Sequence, residues 1–147
     1  MIRRPQFLAL VAGLVAITST GCKKQSAPAA SGDVGMASEQ AVKISDVQLG
    51  RRVGADKRVV DKADAFSPRD TIYASVATSG STPSATVTAQ WTYEDGQVVK
   101  EESRTIAPNG SETTEFHISK PSGWPKGKYK LNLSVGGSTE SKDFEVK

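Results

Sequence analysis

The run ATVTAQWTYE, Ala85–Glu94, decides how this chain folds. Ala85, Val87, Ala89, Trp91 and Tyr93 share one phase of a two-residue period, and Thr86, Thr88, Gln90, Thr92 and Glu94 share the other. Side chains alternate between the two faces of a β-strand, so this pattern predicts a strand with one apolar face and one polar face. Its β-branched and aromatic content agrees. A helix would need a period near 3.6, which the run lacks.

The reading extends in both directions. EDGQ, Glu94–Gln97, predicts a tight hairpin turn on Asp-Gly, with VVKEESRTI as the returning strand. APNGS marks the next turn. TEFHIS places Phe116 and Ile118 inward, with Glu115 and His117 outward. GKYKLNLSV turns Tyr129, Leu131, Leu133 and Val135 inward. Gly136 and Gly137 predict another hairpin, and SKDFEVK closes with Phe144 and Val146 inward. Upstream, TIYASVAT offers Ile72, Ala74 and Val76. VKISDVQL is a first strand whose phase slips between Ile44 and Val47, which marks a bulge or a switch of sheet.

About seven strands joined by short turns, without an amphipathic helix, predict an all-β chain folded as a two-sheet antiparallel sandwich over residues 42–147. This region resembles the immunoglobulin-like and fibronectin type III-like modules of bacterial surface proteins. Trp91 at mid-strand carries the resemblance, together with PKGKYKL. The latter looks like a tyrosine-corner segment, with Tyr129 as the corner residue and Leu131 where antibody domains place a cysteine. The chain holds one cysteine, so an internal disulfide is excluded.

That cysteine lies in TSTGCKK, Thr18–Lys24. Before it come Arg3 and Arg4, then the apolar run FLALVAGLVAI, Phe7–Ile17, then small residues. This is the layout of a secretory signal, and the run is far short of the roughly 20 residues that span a bilayer. The segment resembles the lipobox of bacterial lipoproteins, although Ser19 stands where that family usually has an aliphatic residue. The resemblance implies that residues 1–21 are removed and that Cys22 becomes the acylated N-terminus. Because Lys23 rather than aspartate follows, it also implies the outer membrane, facing the periplasm. Residues 22–41, rich in Ala, Ser and Gly, bury too little surface to offset their ordering entropy and read as a flexible tether. The eighteen residues Lys23–Gln40 would have a root-mean-square span of roughly 25 Å.

Composition narrows the functions. The net charge is +3, of which Arg3 and Arg4 supply two, so nucleic-acid binding has no support. His117 is the only histidine, which excludes a multi-histidine metal site, and its phase puts it on the polar face. The carboxylate pairs Glu101–Glu102 and Asp61–Asp64 read as solvated charges, and no cofactor motif is present. The expectation is a non-enzymatic module with no catalytic residue, no metal and no cofactor. Its membrane contact runs through Cys22, and its partner is an envelope protein or a glycan.

Two features could contact that partner. Arg51, Arg52 and Arg58, with Lys57 and Lys62, form a basic cluster that either meets anionic lipid headgroups near the anchor or serves as a polar edge segment. Trp124, between Gly123 and Pro125, is either a recognition anchor or a lid over the sandwich end near Tyr129. For a glycan, Trp91, Tyr93 and Trp124 are the available stacking platform.

Overall fold

The computed structural model describes residues 39–147. Nine strands build it: β1 (Gln40–Val53), β2 (Val59–Lys62), β3 (Ala65–Phe66), β4 (Ile72–Ser81), β5 (Ala85–Tyr93), β6 (Gln97–Ile106), β7 (Asn109–Ile118), β8 (Gly127–Val135) and β9 (Ser138–Val146). They form a four-stranded sheet in the order β2-β1-β4-β7 and a five-stranded sheet in the order β3-β9-β8-β5-β6. Every pairing is antiparallel except β3 with β9.

Two facing sheets follow from the alternation. Val87, Ala89 and Trp91 of β5 and Leu131, Leu133 and Val135 of β8 turn inward and meet Ile72, Ala74 and Val76 of β4 and Phe116 and Ile118 of β7. Phe144 of β9 holds the centre. It stacks on Tyr129 at 5.2 Å between centroids and takes Trp91 and Phe66 edge-on at 5.8 and 5.7 Å. Burying each such ring removes 150–250 Å² from water.

Four details depart from or sharpen the sequence reading. The phase slip in the first strand is a bulge: the register against β4 shifts between Ile44 and Asp46, so Val42, Ile44, Val47 and Leu49 all face inward. The strand count rises from seven to nine because β2 forms within the basic segment and β3 follows just after it. The Asp95-Gly96 hairpin has a three-residue loop with positive φ at Glu94 and Gly96, not at both Asp95 and Gly96. Glu94 still donates its N–H to the Lys128 carbonyl of β8, so the ladder continues one residue past the expected turn. The APNGS turn is likewise tighter, because Asn109 and Gly110 already pair with β4 and only Ala107 and Pro108 cross between sheets.

The sandwich has two unlike ends. The chain enters β1 at Gln40, beside the loops 82–84, 107–108 and 136–137, which contain no charged residue. Gly136 and Gly137 both take positive φ there, making the two-residue hairpin that their sequence predicts. The opposite end carries the β1–β2 hairpin, the β5–β6 turn and the β7–β8 connection, with Arg52, Lys57, Arg58, Glu94, Asp95, Lys120 and Lys126. Fourteen residues of β1 separate the two ends, roughly 40 Å at strand rise.

Candidate functional site

The corner at the start of β8 forms as its sequence implies. Tyr129 donates its hydroxyl to the Pro125 carbonyl at 2.8 Å. Its pKa is pushed up to about 12, chiefly by burial, with the charges of Tyr93 and Glu94 adding to the rise. Trp124 packs against this corner. Its indole is 8% exposed and meets Tyr129 edge-on at 6.3 Å. Its backbone N–H donates to the Pro68 carbonyl at 2.7 Å and its ring N–H to the Asp70 carbonyl at 3.3 Å. Of the two roles open to Trp124, the packed lid accounts for these contacts and no free ring face is left to anchor a partner. Trp91 is fully buried and Tyr93 is half-buried, donating to the Lys126 carbonyl. Of the aromatic platform considered for a glycan, Trp91 and Trp124 are therefore buried and only Tyr93 stays partly exposed.

The basic cluster does not act as one patch. Arg51 turns back on the domain, donating to Asp70 at 3.1 Å and to the Ala65 carbonyl at 2.7 Å, with its guanidinium over the Phe66 ring. It ties β1 to β3 and to the loop before β4. Arg52 is exposed opposite Asp61, and Arg58 pairs with Asp56 at 3.7 Å. All three sit at the end of β1 away from Gln40, not beside the point where the chain enters the domain. Cys22 lies outside the described residues. Among the described residues no group of three or more His, Cys, Asp and Glu side chains could hold a metal ion.

The paired glutamates separate, as adjacent strand residues must. Glu101 faces outward and accepts from the Gln90 amide at 2.8 Å. Glu102 faces the interior phase and takes Lys100 at 3.1 Å and Arg104 at 2.8 Å. Partial burial pushes the Glu102 carboxyl up, but hydrogen bonds and charge from Lys100 and Arg104 outweigh it and hold the pKa below the ordinary range. Lys100 also donates to the His117 carbonyl of β7 at 3.2 Å, and Arg104 lies over the Phe116 ring. β6 and β7 are each an edge strand of their sheet, so this inward-pointing row of charges closes the flank between them. Inward charge on an edge strand also discourages pairing with another sheet.

The outer face of the larger sheet is an open, largely polar surface. Register aligns its side chains in rungs across β6, β5, β8 and β9. One rung is Ser103, Thr88, Ser134 and Thr139; the next is Glu101, Gln90, Asn132 and Ser141. All of these except Ser103 line a shallow trough of about 550 Å³. The Thr88 and Ser103 hydroxyls bond each other at 2.9 Å. Beyond the trough, Lys130 and Asp143 pair at 3.4 Å and form a charged lip. The sequence showed the polar phase of each strand, but which strands would lie side by side was not visible in it.

With the strand order and the tyrosine corner in place, the architecture is decided. The fold is an immunoglobulin-like sandwich. Solved structures agree. A CARDB domain from Pyrococcus furiosus matches with a TM-score of 0.51 at 12% identity, over 75% of this chain and 90% of that one. A cycloisomaltooligosaccharide glucanotransferase from Paenibacillus sp. matches with a TM-score of 0.56 at 14% identity, over 74% of this chain. The match spans 14% of the glucanotransferase, a small part of that enzyme's length. At these identities the likeness shows the fold alone. No family model matches the chain, and no curated protein matches its sequence.

Proposed function

We propose that this immunoglobulin-like sandwich is the displayed, non-enzymatic interaction module of a cell-envelope lipoprotein anchored through Cys22. The observation that carries the reading is the polarity of the sandwich. The chain enters at the end whose three loops are uncharged, and β1 then runs the length of the domain to the charged end. A tether attached at Gln40 would hold the uncharged end toward the membrane and present the rest outward. The lipobox-like segment around Cys22 and the small-residue stretch after it supply the anchor and the tether. Two or more acyl chains hold stably where one does not, because each buried methylene contributes about 0.8 kcal/mol. Lys23 after the cysteine favours the outer membrane, with the domain in the periplasm.

The position of the arginines bears on the membrane contact. Arg52 and Arg58 project from the far end of β1, so the reading assigns membrane attachment to Cys22 rather than to the basic hairpin. Replacing Cys22 with Ser tests this. The variant is expected to move from the membrane fraction to the soluble fraction of the native host. A variant that stays in the membrane fraction would count against the anchor.

A further inference from the structure

We infer that the trough on the outer face of the larger sheet is a binding site for a neutral, hydroxyl-rich chain, a glycan strand laid across β5, β8 and β9. The inference rests on the reading of the domain as an interaction module and names the class of its partner. It uses none of the aromatic residues that the sequence offered for such a role.

The chemistry of the rungs selects the ligand. Thr88, Ser134, Thr139 and Ser141 present hydroxyls, and Gln90 and Asn132 present amides. Each of these groups both donates and accepts. A sugar hydroxyl does the same, so such a surface can satisfy a polyhydroxyl chain in many registers. The lining contains no lysine or arginine, and it includes the carboxylates of Glu101 and Glu140. A phosphate-rich or carboxylate-rich polymer would meet repulsion there. No aromatic side chain lines the trough, so a peptide would find no pocket for a ring or other large apolar anchor.

The array is also held ready. Thr88 is fixed by its bond to Ser103, and Gln90 by its bond to Glu101. Short and β-branched side chains lose little rotamer freedom on binding, so little of the interaction is spent on ordering them. Without ring stacking, affinity comes from hydrogen bonds made in exchange for water. Each sugar unit then contributes little, and binding strengthens with the number of units engaged.

The test is a titration of the purified full-length protein with maltohexaose, cellohexaose and hexa-N-acetylchitohexaose, followed by amide chemical shifts. Hexameric chitosan and a heparin hexasaccharide serve as charged comparators. The expected result is saturable binding of at least one neutral probe, with shifts centred on Gln90, Asn132 and Ser134. Gln90→Ala with Asn132→Ala should weaken that binding at least tenfold. Ser111→Ala, on the opposite sheet, should leave it unchanged. The wild-type shift map decides the matter even if the double variant folds poorly. Shifts centred on another surface, no saturable binding by any neutral probe, or binding of charged probes alone would overturn the proposal. The lipid anchor takes no part in this titration, so its failure and that of the Cys22 reading are told apart.

Discussion

Tyr129 reaches back four residues to donate its hydroxyl to the Pro125 carbonyl, while its ring stacks on Phe144 of the neighbouring strand. One side chain thus fixes both the path of the β7–β8 connection and the seating of β8 against β9. Tyr129→Phe keeps the stacking and deletes the bond, leaving a part-buried carbonyl without its donor. The expected cost is about 1–2 kcal/mol in urea unfolding with an unchanged m-value. A variant as stable as the wild type would show that the corner bond is incidental.

The same hydroxyl sets an alkaline limit. Its folded pKa of about 12 lies above the ordinary tyrosine value of 10.0. The folded state therefore holds the proton more tightly than the unfolded state. That contribution is complete below pH 10 and is lost as pH rises through the folded value. Stability of the wild type relative to Tyr129→Phe is expected to be flat below pH 10 and to fall between pH 10 and 12. Parallel curves across that window would contradict the assignment.

Trp124 should behave as a core residue. Trp124→Ala is expected to cost about 3–5 kcal/mol, in the range of large aromatic truncations in cores. Both indoles should also resist acrylamide quenching, because Trp91 is fully buried and Trp124 nearly so. One readily quenched indole would return Trp124 to the surface.

Much of the fold was legible in period-two alternation. Trp91, Leu131, Phe116 and Phe144 were each placed inward by phase alone, and each is buried. The corner was legible because Tyr129 and Leu131 stand at a recurrent spacing. β2 and β3 were hidden because four and two residues are too few to show a period, and Val60 is exposed beside buried Val59. The Asn109-Gly110 turn signal was overridden by pairing with β4. The trough was half-legible. Its residues are the polar phases of known strands, but Thr88 lies beside Ser134 through a contact 46 positions apart, which no local pattern encodes. Glu102 looked solvated because the reach of Lys100 to His117 and the seat of Arg104 over Phe116 are tertiary facts.

Glu102 should mark an acid limit. Its pKa is held below the ordinary 4.5, so the folded state binds the proton less tightly than the unfolded state does. The stabilisation is present above pH 4.5 and is lost as pH falls through the lower folded value. Glu102→Gln should remove this acid limb. At neutral pH it should cost about 1 kcal/mol or less, because the carboxylate remains 27% exposed. Acid titrations of the two proteins followed by circular dichroism check the difference. Superimposable acid limbs would contradict it.

Gly50 is required by a close approach rather than by its dihedral angles. A methyl group there would run into the Asp61 carbonyl and the Val59 side chain where β2 bulges against β1. Gly50→Ala is expected to cost about 1–3 kcal/mol. The loss of amide protection should be confined to β2 and the adjoining part of β1. Unchanged exchange in Val59–Lys62 would show that the strand accommodates the methyl.

Intact mass spectrometry of the protein taken from its native host distinguishes an acylated Cys22 from a free thiol. The expected species begins at Cys22, is heavier than its sequence by a diacylglycerol and an acyl group, and partitions into detergent. A chain with an unmodified Cys22 thiol that stays in the aqueous phase would contradict the proposed anchor.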